Sequence, residues 1–427
     1  MNAGNPTIIN TGHDEPLMAD RPIGAEHYRL IGLCFLAWIF DFYDLILYSF
    51  LLVSIGRDLH LDPAASSLAL GSSFLMTAVG GVIFGFIGDR FGRRPVVIAS
   101  VVIYGVGTLL CATSHSLTEL IVFRSLTGLG IGGEWAAGQS LIAEGMPSER
   151  RARYAAYVQV GAPLGVLLAA VAGGFLEPRI GWRMVFALSA IPAVVVALAA
   201  WRWLSESDVW IRDGRQSVRT GLGRTDFGAL WKHRHVLAML FIVILVNSEA
   251  YWFTYSWMPG YLQLKRGLTD QASGRLMIGM QIGAIAGYGV FGLLADRFGR
   301  RPVFSIFAAL MALGVIPPTL LWHWASETAG LIPAAMVVAG VGTGLWSGVP
   351  PIVSELLPTR VRNSALGLLL NLTRGLQFFT PMLVTSIGAR AGFGPTLAIG
   401  ALFSAIGSAL IWTLPETRGR DITALDR

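Results

Sequence analysis

Apolar runs of about 20 residues, each long enough to cross ~30 Å of hydrocarbon as a helix, recur along almost the whole chain between short polar stretches. Twelve fall near residues 30–52, 66–88, 95–113, 118–144, 155–177, 183–204, 236–258, 272–294, 302–322, 331–355, 363–386 and 393–414. Runs this long exceed any strand, so the pattern predicts an all-α membrane protein with twelve transmembrane helices. The polar remainder is a tail at 1–29, a linker at 205–235 and a second tail at 415–427, and neither tail has the size of a soluble catalytic or signalling domain. The linker divides the helices into two bundles of six, at 30–204 and 236–414.

The two bundles share text. Asp-Arg-Phe-Gly-Arg-Arg-Pro occurs at Asp89 to Pro95 and again at Asp296 to Pro302, each time after an apolar run. Glu144, Pro147 and Arg150 close the fourth window, and Glu355, Pro358 and Arg360 close the tenth. Leu204-Ser205-Glu206-Ser207 ends the sixth, as Leu414-Pro415-Glu416-Thr417 ends the twelfth. All three pairs are offset by a similar interval, which makes duplication of one six-helix unit the economical explanation. Secondary transporters are built from such halves, with substrate held between them near mid-membrane.

Composition agrees with a bilayer location: 54% of residues are hydrophobic and 14% charged, with a mean hydropathy of +0.60. The net charge of +6 does not indicate nucleic acid. With both termini inside, about 22 Lys and Arg lie in the tails and inner loops against about 7 in the outer loops, so the charge reports orientation. Met1 to Arg21 has no basic start followed by an apolar core, which leaves the first helix as the insertion signal. Cys34 and Cys111 lie in apolar segments and read as packing thiols, and no metal site is expected. The only lysines, Lys232 and Lys265, follow Trp and Leu, so no phosphate-cradling Gly-Lys-Ser/Thr loop exists in this chain. The run Gly128-Leu-Gly130-Ile-Gly132-Gly133 has no strand before it, and its glycines serve close helix approach rather than a dinucleotide.

The chain resembles the major facilitator superfamily from Tyr28 to Arg420. The resemblance is carried by Gly85-Phe-Ile-Gly88-Asp89-Arg90-Phe91-Gly92-Arg93-Arg94, its second copy Gly292-Leu-Leu-Ala295-Asp296-Arg297-Phe298-Gly299-Arg300-Arg301, and the fourth-helix Arg124-Ser-Leu-Thr-Gly128-Leu-Gly130-Ile-Gly132-Gly133. Asp41-Phe-Tyr-Asp44 and Gly132-Gly133-Glu134-Trp135 look most like the metabolite, sialate and aromatic-acid proton symporters, although Phe42 stands where the aromatic-acid group usually has glycine. The resemblance implies two pseudo-symmetric six-helix bundles and makes the duplicated loop a gating latch between helices. Gly85, Asp89, Arg90, Gly92 and Arg93 carry that role in the first half, and Asp296, Arg297, Gly299 and Arg300 in the second. Glu144, Arg150 and Glu355, at the helix ends, join them. The loop also has a direct reading: an aspartate at a helix end, then glycine and arginines, gives a tight turn whose charges pair with a neighbouring helix end. The simpler alternative is that the arginines only hold the loop inside.

Charge inside the hydrocarbon costs at least ~2.5–3.5 kcal/mol on insertion scales, so ionisable residues there need partners or a watery cavity. Asp41 and Asp44 lie three apart on adjoining parts of one helix face, extended by Trp38 and Tyr48. Two carboxylates at that spacing resist joint ionisation, which suits them to reversible protonation. They are the expected proton-coupling site, with Asp44 pairing to Arg124 of the fourth helix and Glu134 as a third carboxylate. The competing reading is a structural ion pair fixing the first helix to the fourth. No histidine falls at a helix centre, so a histidine relay is not expected.

The second half supplies a cation. Arg374 sits mid-helix with Asn371 and Gln377 on neighbouring turns, and a guanidinium at that depth matches a carboxylate, either of the substrate or of Glu249. Asn247, Tyr251 and Tyr255 follow at intervals of four and make a candidate cavity wall with Gln281, Trp346 and Tyr48. The fifth helix reads Gly161-Ala162-Pro163-Leu164-Gly165-Val166, short of the paired glycines of the family's drug antiporters, which favours uptake. The ending Pro415 to Arg420 looks like that of sugar porters and keeps a sugar acid in play. The expectation is a proton-coupled importer of a small organic anion, not an enzyme, with no cofactor besides the coupling proton and no nucleic-acid partner. It would act as a monomer in the inner membrane with both termini cytoplasmic. An efflux antiporter and a non-transporting sensor are the rival readings.

Overall fold

Asp62 opens the second helix by accepting a hydrogen bond from Ala65 N at 2.7 Å, with Pro63 supplying the fixed φ of a first helical residue. Thr269 repeats the device in the second half, accepting from Ala272 N at 3.2 Å. The computed structural model describes residues 17–147, 154, 157–212, 231–357 and 359–418. Arg150, Pro358 and the Arg360 side chain lie outside the described residues.

Helix α1 is Ala25–Asp58, α2 Pro63–Phe91, α3 Arg93–Cys111 and α4 Leu117–Gly145. The fifth pass, α5, is Gly161–Val171 and continues through a π-helical turn at Ala172–Leu176. Helix α6, Glu177–Trp203, is interrupted at Gly181, whose φ of 76° turns the chain back across the membrane. In the second half α7 is Arg234–Leu264, α8 Asp270–Phe298 and α9 Arg300–Thr319. The tenth pass, α10, joins Leu331–Gly342 and Val349–Leu356 through a 3₁₀ segment at Thr343–Gly348. Helix α11 comprises Thr359–Leu376 and Phe379–Ala391, and α12 is Phe393–Leu410.

By length and apolar composition, nine helical stretches among the described residues can cross a membrane. One of these, Tyr157–Trp203, makes two passes because of the turn at Gly181. Helix α4 and the two-piece α11 complete the twelve, and they are the helices with Arg124, Glu134 and Arg374 at mid-depth. The ends carrying the chain termini and the linker form one face, here called the terminal face; the opposite end is the distal face.

Within each half, packing relies on small residues, as expected where lipid gives helices no hydrophobic reason to associate. A Cβ on Gly132 of α4 would collide with the Thr77 carbonyl of α2, so the glycine run serves helix contact. At the distal face Arg183 of α6 forms an ion pair with Asp58 of α1 and donates to Ser114 O at 3.0 Å. Among the described residues the halves meet where α5 runs against α8 and α2 against α11, and α1 also packs against α7. Gly174 of the π turn touches Gly274 of α8 nearly backbone to backbone. On the other side α2 runs against α11, with Gly71 at Phe378, Ala78 at Gly375 and Gly81 at Asn371. Phe74 stacks edge-on with Trp252 at 4.5 Å, and Trp257 Nε1 donates to Ser67 Oγ at 3.2 Å.

Candidate functional site

Asp44 and Arg124 find each other, as the shared depth of the two residues predicts. Arg124 Nη1 donates to Asp44 Oδ2 at 3.1 Å, and Thr108 of α3 donates to Oδ1 at 2.6 Å. Arg124 Nε also donates to Ser73 Oγ of α2 at 3.0 Å, and the guanidinium lies 5.5 Å from the Tyr48 ring. The group is shut in, with Arg124 fully buried. Tyr48 donates to Ser66 O at 3.2 Å and is itself fully buried in the packing of the first bundle, apart from the other candidates of the cavity wall.

Asp41 departs from the paired-aspartate expectation. A step of three residues turns a helix by about 300°, and the missing 60° separates the two carboxylates into different interfaces. Asp41 stands beside Glu134 of α4, near enough for the two carboxyl groups to act on each other. Arg374 of α11 reaches in from the other half, near enough to feel both charges while forming no ion pair within 4 Å among the described residues. Its guanidinium lies against two neighbouring indoles of the first half, 5.5 Å from the Trp38 ring and 4.9 Å from that of Trp135, the two rings being 6.1 Å apart.

Polar atoms around this meeting point are buried without protein partners: both oxygens of Asp41, Oε2 of Glu134, Nη1 of Arg374, the indole nitrogens of Trp38 and Trp135, and Oδ1 of Asn371. Ser100 Oγ and Tyr104 OH of α3 are in the same condition, and Tyr104 lies within electrostatic reach of Asp41 and Glu134. Sequence reasoning passed over these two. Their signal is a serine and a tyrosine four residues apart in an otherwise apolar window, brought in because Gly133 lets α4 close onto Ser100.

Four of the C-terminal candidates come together. Tyr251 and Tyr255 stack at 4.1 Å, Gln281 Nε2 donates to Tyr255 OH at 3.3 Å, and Trp346 meets Tyr251 edge-on at 6.5 Å. Asn247 does not join them. Successive steps of four drift by about 40° each, so it has turned towards α12, where it lies against Gly407 and donates to Val243 O of its own helix. Gln377 is also occupied elsewhere, donating to Glu249 Oε1 at 3.1 Å. Arg374 therefore does not take Glu249 as its partner.

The duplicated loops build two matching braces, each inside its own bundle. Arg93 binds Asp89 at 3.0 Å and Glu144 at 3.1 Å, while Glu206, just past α6, accepts from the backbone N of Arg93 at 2.9 Å and of Arg94 at 3.1 Å. In the second copy Arg300 binds Asp296 and Glu355, and Glu416 accepts from Arg300 N at 2.8 Å and Arg301 N at 3.1 Å. A carboxylate thus sits on each free helix N-terminus, a role that residue spacing alone did not assign to Glu206 and Glu416. Gly92 and Gly299 have φ of 104° and 101°, which other residues rarely adopt. Arg90 and Arg297 only cover the neighbouring rings of Phe91 and Phe298, and Gly85 has open space around it, so these three stand outside the braces. Arg150 lies outside the described residues.

The sequence matches the Major Facilitator Superfamily over residues 33–290 and 267–425, in effect the whole helical chain. The chain belongs to that superfamily. It is 30% identical to a "Putative metabolite transport protein" of Haemophilus influenzae, covering 89% of this chain and 94% of that one. It is 28% identical to a "Probable 4-methylmuconolactone transporter" of Cupriavidus pinatubonensis, covering 90% of each. Among solved structures, the xylose transporter XylE from E. coli in a partially occluded inward-open conformation superposes with a TM-score of 0.74 at 18% identity, covering 93% of this chain and 100% of that one. As a superfamily member the chain is a multi-pass membrane transporter and not an enzyme, and the four-helix polar meeting point is where its two halves touch at mid-depth.

Proposed function

We propose that this transporter imports a small organic anion together with at least one proton. The observation that carries the reading is Arg374, a guanidinium from one half placed against two indoles and beside two carboxyl groups of the other. Two carboxyl groups side by side in a buried site cannot both be charged without strong repulsion, so Asp41 and Glu134 hold a proton between them. With the pair protonated, Arg374 is free to take a substrate carboxylate through its planar fork of donors. Once the pair loses its proton, the carboxylates compete for Arg374 and expel the anion.

Asp44 and Arg124 act in this scheme as a brace. The tyrosines at 251 and 255, with Gln281 and Trp346, form the far wall. Relatives named for 4-methylmuconolactone, cis,cis-muconate and gentisate favour an organic acid over a neutral sugar. The basic residues concentrate at the terminal face, which we take as cytoplasmic in the inner membrane. The transporter works as a monomer and needs no cofactor besides the proton.

The test is uptake of labelled cis,cis-muconate and gentisate into proteoliposomes under an imposed proton gradient. Uptake should rise as external pH falls, and Asp41→Asn and Glu134→Gln should retain exchange while losing accumulation. Accumulation equal to the parent in Asp41→Asn would sink the proton assignment. A rate flat across the carboxylate range would sink symport.

A further inference from the structure

Glu249 of α7 is a carboxylate the scheme above does not use. It accepts from Gln377 Nε2 at 3.1 Å and from Thr380 Oγ1 at 2.8 Å, both on α11. No cation pairs with it among the described residues. Elsewhere on the helices packed around α7, the charges are committed or distant. Asp44 of α1 is held by Arg124, Asp41 lies with Glu134 and Arg374, and Glu355 of α10 is held by Arg300. Asp296 and Arg297 lie at the terminal end of α8, Asp270 and Arg275 at its distal end, Arg390 at the distal end of α11, and α12 has no ionisable residue between Phe393 and Thr413. Among the described residues, the groups that face Glu249 are therefore two neutral donors.

Those donors flank the one interruption in α11. Pro381 has no N–H to give the Gln377 carbonyl, and its ring crowds that oxygen, so the helix stops at Leu376 and restarts at Phe379. Three-residue bonds fill the gap: Phe378 N donates to Gly375 O at 3.2 Å and Thr380 N to Gln377 O at 3.2 Å. Arg374 lies one turn before the break, and the Phe378 carbonyl rests against Gly71 of the other half. The break is thus tied on one side to Glu249 and on the other to the seam between the halves.

We infer that Glu249 is a second proton-sensitive group, a positioning residue whose carboxylate form pins the α11 break and, through it, the placement of Arg374. Protonation replaces two bonds to a charged acceptor by weaker neutral ones: the acid O–H donates to Thr380 Oγ1, whose own hydroxyl turns to Gln377 Oε1 at 3.3 Å, while the other oxygen still accepts from Gln377. The Gln377–Thr380 segment then loosens, and Arg374 gains freedom to move with the seam. This inference rests on the reading of Arg374 as the anion anchor, but it makes a claim about α11 that can be measured without substrate.

The experiment is hydrogen–deuterium exchange of the 371–381 segment in the full-length protein in lipid nanodiscs, corrected for the intrinsic pH dependence of exchange. A parallel infrared titration follows the protonated-carboxyl band. The parent should exchange faster as pH falls, Glu249→Gln should exchange fast at every pH and lose one component of the band, and Glu249→Asp should restore a pH-dependent profile. Thr380→Val, which keeps the carboxylate, should shift the midpoint of the transition without abolishing it. Identical pH profiles for the parent and Glu249→Gln would overturn the inference, as would a carboxyl band unchanged by that substitution. A normal exchange transition in a protein that shows no pH-dependent uptake would instead sink the symport reading and leave Glu249 in place.

Discussion

Removing Arg124 should be among the most damaging single substitutions in the first bundle, and removing Asp44 with it should undo most of the damage. The pair is at 3.1 Å with both side chains nearly free of solvent. At that separation the Coulomb attraction is about 5 kcal/mol for an effective dielectric of ~20. Desolvating two ions costs several kcal/mol each, so the intact pair is worth little more than two apolar side chains of similar size. A lone survivor is different: Arg124→Leu leaves Asp44 buried with only Thr108 as a donor, and the expected loss is ~3–5 kcal/mol. Asp44→Leu should cost a similar amount, Asp44→Leu/Arg124→Leu far less than either, and Thr108→Val about 1 kcal/mol. Equilibrium unfolding of the purified protein in micelles, followed by tryptophan fluorescence and far-ultraviolet circular dichroism, reads all four. A double variant no more stable than the worse single would refute the reasoning. Proton-driven accumulation lost in the double variant despite recovered stability would show Asp44 to be more than a brace.

The caps on the ninth and third helices give two further tests. Burial pushes the Glu416 carboxyl up, but backbone N–H donors from Arg300, Arg301, Arg418 and Thr417 outweigh it and hold the group below the usual glutamate range. Its stabilisation is therefore complete above the ordinary glutamate range and lost as pH falls through the lowered value, so thermal denaturation should show an acid-side fall that Glu416→Gln removes; equal slopes in both proteins would refute this. Gly92→Ala should cost more than Gly299→Ala, because both have positive φ but the added methyl at 92 drives further into the Glu206 carboxylate than its counterpart does into Glu416. Each should exceed about 1 kcal/mol in the same unfolding assay, and the reverse order would contradict the steric argument.

The number and position of the membrane passes were legible in the sequence because a bilayer imposes a length on every apolar run. The charged residues at mid-depth were legible for the same reason. Their partners were not. Asp41 and Asp44 share a face on a coarse count of helix turns, yet the 60° between them sends one to Arg124 and the other to Glu134. Asn247 fails likewise, through the drift of a four-residue step. The break in α11 had a visible cause in Pro381, but only the fold shows that the freed turn meets Glu249 and the opposite bundle. Glu206 and Glu416 were visible as repeat markers, whereas their use as caps depends on where α6 and α12 end.

The two mid-depth arginines differ in when they can be neutralised during synthesis. Arg124 meets Asp44, a residue already made when α4 leaves the ribosome, and both belong to one bundle. Arg374 emerges late, in the helix next to last, and the carboxyl groups nearest it belong to the bundle made first. The first half can thus neutralise Arg124 from within as it is inserted. The second carries an open account until the halves meet, which makes their assembly a requirement for burying α11 as well as for transport.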